Sequence, residues 1–416
     1  MEQSAGWRPQ PRPEWVTSLN QVGGILGPPD LLISLDEDSL VDAAIRASGI
    51  EDFGGDAWRE PFRVLLADME SQSELTLVGR VLARFDLLRC LVALLGMAED
   101  ERRHPEILEM EIEEPIFVTG LGRTGTTILH ELLAQDPSLR SAFGWEQRYP
   151  SPPPDAATWH EDPRIAHAAA DIDLWLQVVP EFLAVHESRS DGPDEDTVGQ
   201  QLGFASQVWS ATHRAPNFDA WLMGNAAYGM QFHRRLLQHL QFRKPGRWVL
   251  KAPTHMSCLP DLFAVYPDAR VIHTHRDPLK VLASTADMIA TLRWQRSDRV
   301  DYDEYAQTIC FGFPFLLNMV IDQRTSGVLP ADRIGDVLYA DLIHDHLGTI
   351  ASVYDQLGME LSDEAKARMS AYIESRPKGR HGNRDYRFSD LSVDEAEMRQ
   401  RFVSYMEHYH VPNEEL

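Results

Sequence analysis

The chain has 416 residues, enough to bury a full core in one large or two modest domains. Apolar residues make up 43% and charged residues 25%, an ordinary balance for a globular protein. With 39 Lys and Arg against 64 Asp and Glu the net charge is −25, which argues against general binding to nucleic acid or to anionic membranes.

No run approaches the roughly 18 apolar residues of a transmembrane helix. The opening MEQSAGWRPQPRPEW has no apolar stretch of the kind a secretory signal needs. The three cysteines, Cys90, Cys258 and Cys310, are scattered and odd in number. They suit neither a disulfide framework nor a zinc site, so a cytoplasmic location is expected.

Residues 1–35 are rich in Pro and Gly and read as a surface wrap. A helix follows in SLDEDSLVDAAIRASGI, capped by Ser34 or Asp36. Further helical spacing runs through 56–70 and 72–98, so residues 1–111 read as a helical N-terminal region. The rhythm then changes. PIFVTG is a short buried strand, and TTILHELLAQ is a helix opening directly after glycines. SPPPDAATW breaks the chain, and 160–245 reads as a helical, Trp-bearing insertion within a domain spanning 112–416. Strands in GRWVLKAPTH, RVIHTHRDP and RIGDVLYADL then alternate with helices. Strands separated by helices predict a three-layer α/β fold, a P-loop-type parallel sheet flanked by helices, with a helical cap over it.

The turn after the first strand, TGLGRTGTT, satisfies two patterns. Gly120, Gly122 and Gly125 make a G-x-G-x-x-G, but the following DPSLRSAFGWEQRY offers no apolar strand ending in an acid, as a dinucleotide site requires. Gly120, Gly125, Thr126 and Thr127 make a Walker A loop with Thr126 in the lysine position, and no Walker B aspartate is evident. A strand, a glycine loop and a helix N-terminus still present N–H groups and a dipole to an anion. A 5′-phosphosulfate would suit such a loop: it carries no γ-phosphate to demand the lysine and no magnesium.

At this point the sequence resembles the sulfotransferases that use 3′-phosphoadenosine 5′-phosphosulfate (PAPS), and within them a bacterial branch with a helical N-terminal region. The resemblance covers roughly residues 112–360 and rests on three separated motifs. The first is the loop, with Gly122, Arg123, Thr124, Gly125, Thr126 and Thr127 as the 5′-phosphosulfate contacts. The second is RVIHTHRDPLKVLAS, where Arg276 and Ser284 match the family's 3′-phosphate pair. The third is DVLYADL, which resembles the family's strand-end Tyr and acid in Tyr339 and Asp341. The basic RPKGRHGNRDYR resembles the segment that closes over the 3′-phosphate, with Lys378, Gly379 and Arg380, and Arg376 or Arg384 as other candidates.

The resemblance implies sulfuryl transfer to the hydroxyl of a small-molecule or lipid acceptor, with no metal. In-line displacement at sulfur needs a base for the acceptor proton and positive charge at the leaving oxygen. Arg123 and Lys251 are the candidates for charge. Glu146, where tyrosylprotein-type members place a catalytic Glu, is the first candidate base, and His255 is the second. His273 and His275 share a strand face but lack a third metal ligand. The alternatives are a degenerate P-loop protein that binds a nucleotide without transfer, which would need neither Lys251 nor Glu146, and a nucleotide-dependent kinase. The acceptor's identity and whether the chain forms a homo-oligomer stay open.

Overall fold

The computed structural model describes residues 7–184, 188–375 and 387–416. Five parallel strands form one sheet: β1 (Ile116–Thr119), β2 (Leu139–Ser141), β3 (Arg247–Lys251), β4 (Arg270–His275) and β5 (Ile334–Leu338). Their order is β2-β3-β1-β4-β5. β1 pairs with β3 (Ile116 opposite Val249) and with β4 (Ile116 opposite Arg270).

The strands are buried on both faces because helices cover both. Alternation along each strand divides its side chains between two apolar layers. Phe117, Leu250 and Val271 enter one cluster, while Ile116, Val118, Val249 and Ile272 enter the other. The three-layer fold expected from the sequence is therefore present.

The N-terminal region is helical. Asp36, not Ser34, caps the helix Glu37–Ser48 by accepting from Ser39 N at 3.1 Å. Thr76 caps the long helix Leu77–Arg103. This region supplies Leu65, Leu87, Leu91 and Leu95 to the same cluster that holds Phe117 and Leu250, so it shares a core with the sheet.

Two sequence expectations change. Leu139–Ser141 is a strand, but it has only three residues and lies at the sheet edge, too short to announce itself by composition. β5 stops at Leu338, and Tyr339 opens the helix Tyr339–His344, placing exposed Asp341 on that helix rather than at a strand end.

The strand order fixes where a ligand sits. β1 leads outward on one side of the sheet and β4 on the other, so the crevice beyond their C-terminal ends is the ligand position of an open α/β sheet. The glycine loop follows β1, and Arg276 follows β4.

Candidate active site

The loop after β1 owes its shape to backbone that L-residues rarely adopt. Gly120 has φ +147°, and a Cβ there would lie 2.4 Å from Thr274 Oγ1. Gly125 has φ +90°, and a Cβ there would meet the Tyr339 ring at 3.0 Å. Between them Arg123 sits at φ 65°, the left-handed region, a strain that persists where surrounding structure enforces it. Thr124 does not face the cavity: its hydroxyl donates to Leu121 O at 2.5 Å and lies 2.6 Å from Thr274 Oγ1, which ties the loop to β4. The helix Thr126–Leu133 opens immediately after Gly125.

A cavity of about 1480 Å³ opens over this loop. Gly122, Arg123, Gly125, Thr126 and Thr127 line it from the loop, and Arg276, Ser284, Tyr339 and His255 line it as well. The Arg276 guanidinium stacks 4.0 Å from the Tyr339 ring centre and donates to Arg123 O at 2.9 Å. Ser284, one helix beyond, is buried, and its hydroxyl has no hydrogen-bond partner among the described residues. Lys378, Gly379 and Arg380, with Arg376 and Arg384, lie outside the described residues.

Lys251 ends β3 and is almost fully buried. Its ammonium lies 2.5 Å from Glu195 Oε1 and 3.4 Å from Thr127 Oγ1. Both of those partners line the cavity. Glu195 escaped the sequence reading. It stands in the acidic run DGPDED, which reads as a solvated turn, and the neighbouring Asp196 N, donating to Lys251 O at 3.2 Å, ties this segment to the end of β3.

The two candidate bases are both buried and both engaged. Glu146 does not line the cavity. It is 0% exposed in the short helix Gly144–Arg148, and both carboxylate oxygens are engaged. Oε1 accepts from Phe143 N at 3.0 Å, and Oε2 accepts from Arg140 at 2.7 Å and Trp159 Nε1 at 3.1 Å. The carboxylate neutralises a buried guanidinium and caps a helix.

His255 lines the cavity but is 1% exposed, with Nε2 only 2.6 Å from Asp196 Oδ2. Burial pulls the imidazole down, yet the Asp196 charge and hydrogen bond outweigh it and hold His255 up to about 10. Burial opposes Asp196 ionisation too, but His255 and His233 hold this carboxyl well below the usual range. An imidazolium has no lone pair to receive a proton, and the Asp196 carboxylate favours that form of His255.

His273 and His275 do acquire a third neighbour in space, Asp336, whose ligand-type atoms lie within 4.8 Å of theirs. Both Asp336 oxygens already accept from Arg324, at 2.6 and 2.8 Å. A guanidinium seated there opposes a cation, and the cluster reads as packing beneath Tyr405 and Tyr409, whose rings His275 meets.

The rest of the cavity belongs to the cap and the helices facing it. Leu176, Phe182, Met288, Ile289, Phe313 and Leu316 form an apolar wall. It continues to the surface through Leu183, Met223 and Phe315, which line the cavity and are 38%, 73% and 72% exposed. Of the cap tryptophans, Trp175 reaches the cavity, whereas Trp159 and Trp209 are buried in core clusters.

Residues 115–363 match the profile described as the sulfotransferase family. This chain belongs to the sulfotransferase family. Among curated proteins, the sulfotransferase chain is 27% identical over 264 residues to omega-hydroxy-beta-dihydromenaquinone-9 sulfotransferase Stf3 of Mycobacterium bovis and of Mycobacterium tuberculosis. Those matches take in 59% of this chain and 63% of the relatives' length. Among solved structures, sulfotransferase STF1 from Mycobacterium tuberculosis H37Rv superposes with a TM-score of 0.77 at 30% identity, over 89% of this chain and 98% of that one. Sulfotransferase STF9 from Mycobacterium avium gives 0.82 at 25% identity, over 91% and 98%. Among the described residues, no helix of this chain is long and apolar enough to cross a membrane.

Proposed function

We propose that this protein transfers the sulfuryl group of PAPS to the hydroxyl of an acceptor with a long apolar body. The observation that carries the reading is the Lys251–Glu195 pair, a cation and a carboxylate 2.5 Å apart, beside the Thr127 of an anion-binding loop.

The residues present suit the donor. The loop backbone from Gly122 to Thr127 and the helix dipole behind it would hold the 5′-phosphosulfate. Arg276 and the Ser284 hydroxyl, which has no partner among the described residues, would hold the 3′-phosphate. PAPS supplies the sulfuryl group. The acceptor oxygen forms a bond to sulfur as the bridging S–O bond breaks, and that electron pair leaves on the phosphate of 3′-phosphoadenosine 5′-phosphate (PAP). Glu195 takes the acceptor's proton, and Lys251 offers charge to the departing oxygen. Glu195 takes the place of Glu146 in this role because it lines the cavity and meets Lys251 beside the anion-binding loop.

The acceptor class follows from the apolar wall and its continuation through Met223 and Phe315 to solvent. A relative whose name gives a hydroxylated menaquinone as its acceptor is consistent with that wall. The test is transfer from labelled PAPS to a panel of hydroxyl acceptors, with products identified by mass. Long-chain alcohols giving a sulfated product without magnesium is the expected result; no transfer to any hydroxyl, with PAP failing to bind, refutes the reading.

A further inference from the structure

Arg276 is held by more than the loop. Its Nε donates to Glu414 Oε1 and its Nη2 to Glu414 Oε2, both at 2.8 Å, a bidentate pair. With Nη1 donating to Arg123 O, three of its five N–H donors are engaged by described residues. One N–H on each of Nη1 and Nη2 remains. Arg276, Ser284 and Tyr339 line the cavity, and Glu414 does not, so its carboxylate grips the guanidinium from outside the cavity.

Glu414 is itself anchored. Its backbone N donates to Asp277 Oδ2 at 2.8 Å, and Arg399 donates to the same oxygen at 2.6 Å and to Asn413 Oδ1 at 3.1 Å. Asp277 is 0% exposed, and its Oδ1 caps the helix Pro278–Trp294, which carries Ser284, by accepting from Leu279 N at 3.0 Å. One buried carboxylate thus joins three things: the strand end bearing Arg276, the helix bearing Ser284 and the segment bearing Glu414.

We propose that Glu414 is a positioning residue for the donor's 3′-phosphate, holding the Arg276 guanidinium over the Tyr339 ring with its remaining N–H groups turned to the cavity. A long side chain that must be ordered at binding costs affinity, and a residue that orders it beforehand removes that cost. The carboxylate's repulsion of the incoming phosphate is offset because the guanidinium stands between them. The inference rests on the PAPS reading and deepens it, since it assigns this segment to the donor site.

The experiment compares PAP with adenosine 5′-phosphate, which lacks the 3′-phosphate, by titration calorimetry on the full chain. Glu414→Ala is expected to weaken PAP about tenfold, the scale of one charge-assisted hydrogen bond, and to leave adenosine 5′-phosphate unchanged. Glu414→Gln, which keeps one acceptor oxygen, should recover part of the loss. PAP binding that is unchanged or tighter in Glu414→Ala overturns the proposal, the tighter case marking Glu414 as a competitor for the phosphate site. Equal loss for both ligands also overturns it, since that is general damage to the fold. A parent protein that does not prefer PAP to adenosine 5′-phosphate defeats the donor reading itself, and this inference with it.

Discussion

The Lys251 ammonium lies 2.5 Å from Glu195 Oε1, with the Thr127 hydroxyl 3.4 Å away. The sheet brings a strand end, a loop helix and the cap together at this point, and the first prediction concerns its chemistry. Glu195→Gln should retain PAP binding and lose transfer to an aliphatic alcohol by roughly 10²–10⁴-fold, the span of general acid–base catalysis. Rapid-quench turnover and PAP affinity on the same preparation decide it. Near-parent turnover would remove Glu195 from the mechanism. A nitrophenol acceptor would be uninformative, because its hydroxyl hardly needs a base.

Glu146 gives the opposite signature. Glu146→Ala leaves Arg140 buried without its carboxylate, and breaking a buried pair in this way costs about 3–5 kcal/mol. Denaturant unfolding should show that loss, while the surviving folded fraction turns over at close to the parent rate. Retained stability with abolished turnover would restore Glu146 as a catalytic group.

Arg276→Ala should weaken PAP by about 1.5–3 kcal/mol through loss of a charge-assisted partner, and Ser284→Ala by less. A thermal-shift titration without magnesium reads this directly. Unchanged PAP binding in Arg276→Ala would misplace the 3′-phosphate site. ATP should shift the melting temperature little, and a magnesium-dependent ATP shift equal to that of PAP would point to a kinase.

The buried Asp196–His255 pair predicts a pH dependence. The folded state raises His255 from near 6.5 to about 10, so its contribution is fully present below about pH 6.5 and is lost as pH climbs toward 10. Stability measured from pH 6 to 10 should fall with a slope of at most about 1.4 kcal/mol per unit from this group. In Asp196→Asn the slope should flatten. An identical slope in both proteins would mean that the pair does not hold the proton.

At the cavity mouth, Phe315→Asp should raise KM for a long-chain alcohol and leave KM for a short one, and PAP affinity, near the parent values. Phe315 is 72% exposed, so the change should not disturb the core. An equal effect on both alcohols would dissociate the apolar rim from the acceptor.

The order of elements was legible in the sequence because it is local. A four-residue apolar strand, a glycine loop and a helix opening at Thr126 are dictated by side-chain periodicity and by φ values that glycine alone tolerates freely. The positions of Arg276 and Ser284 were legible for the same reason: a strand end and the next helix set their separation. The base was not. Glu146 stands alone between Trp145 and Gln147 and Glu195 lies in an acidic run, and nothing local distinguishes a carboxylate buried against Arg140 from one held to Lys251. The Lys251–Glu195 pairing joins segments 56 residues apart in the chain. The same holds for Glu414 and Arg276, 138 positions apart, and for the apolar wall assembled from several helices. The sequence determined which residues could carry this chemistry. Only tertiary packing decided which of them face a common cavity, because burial and charge pairing are properties of neighbours in space.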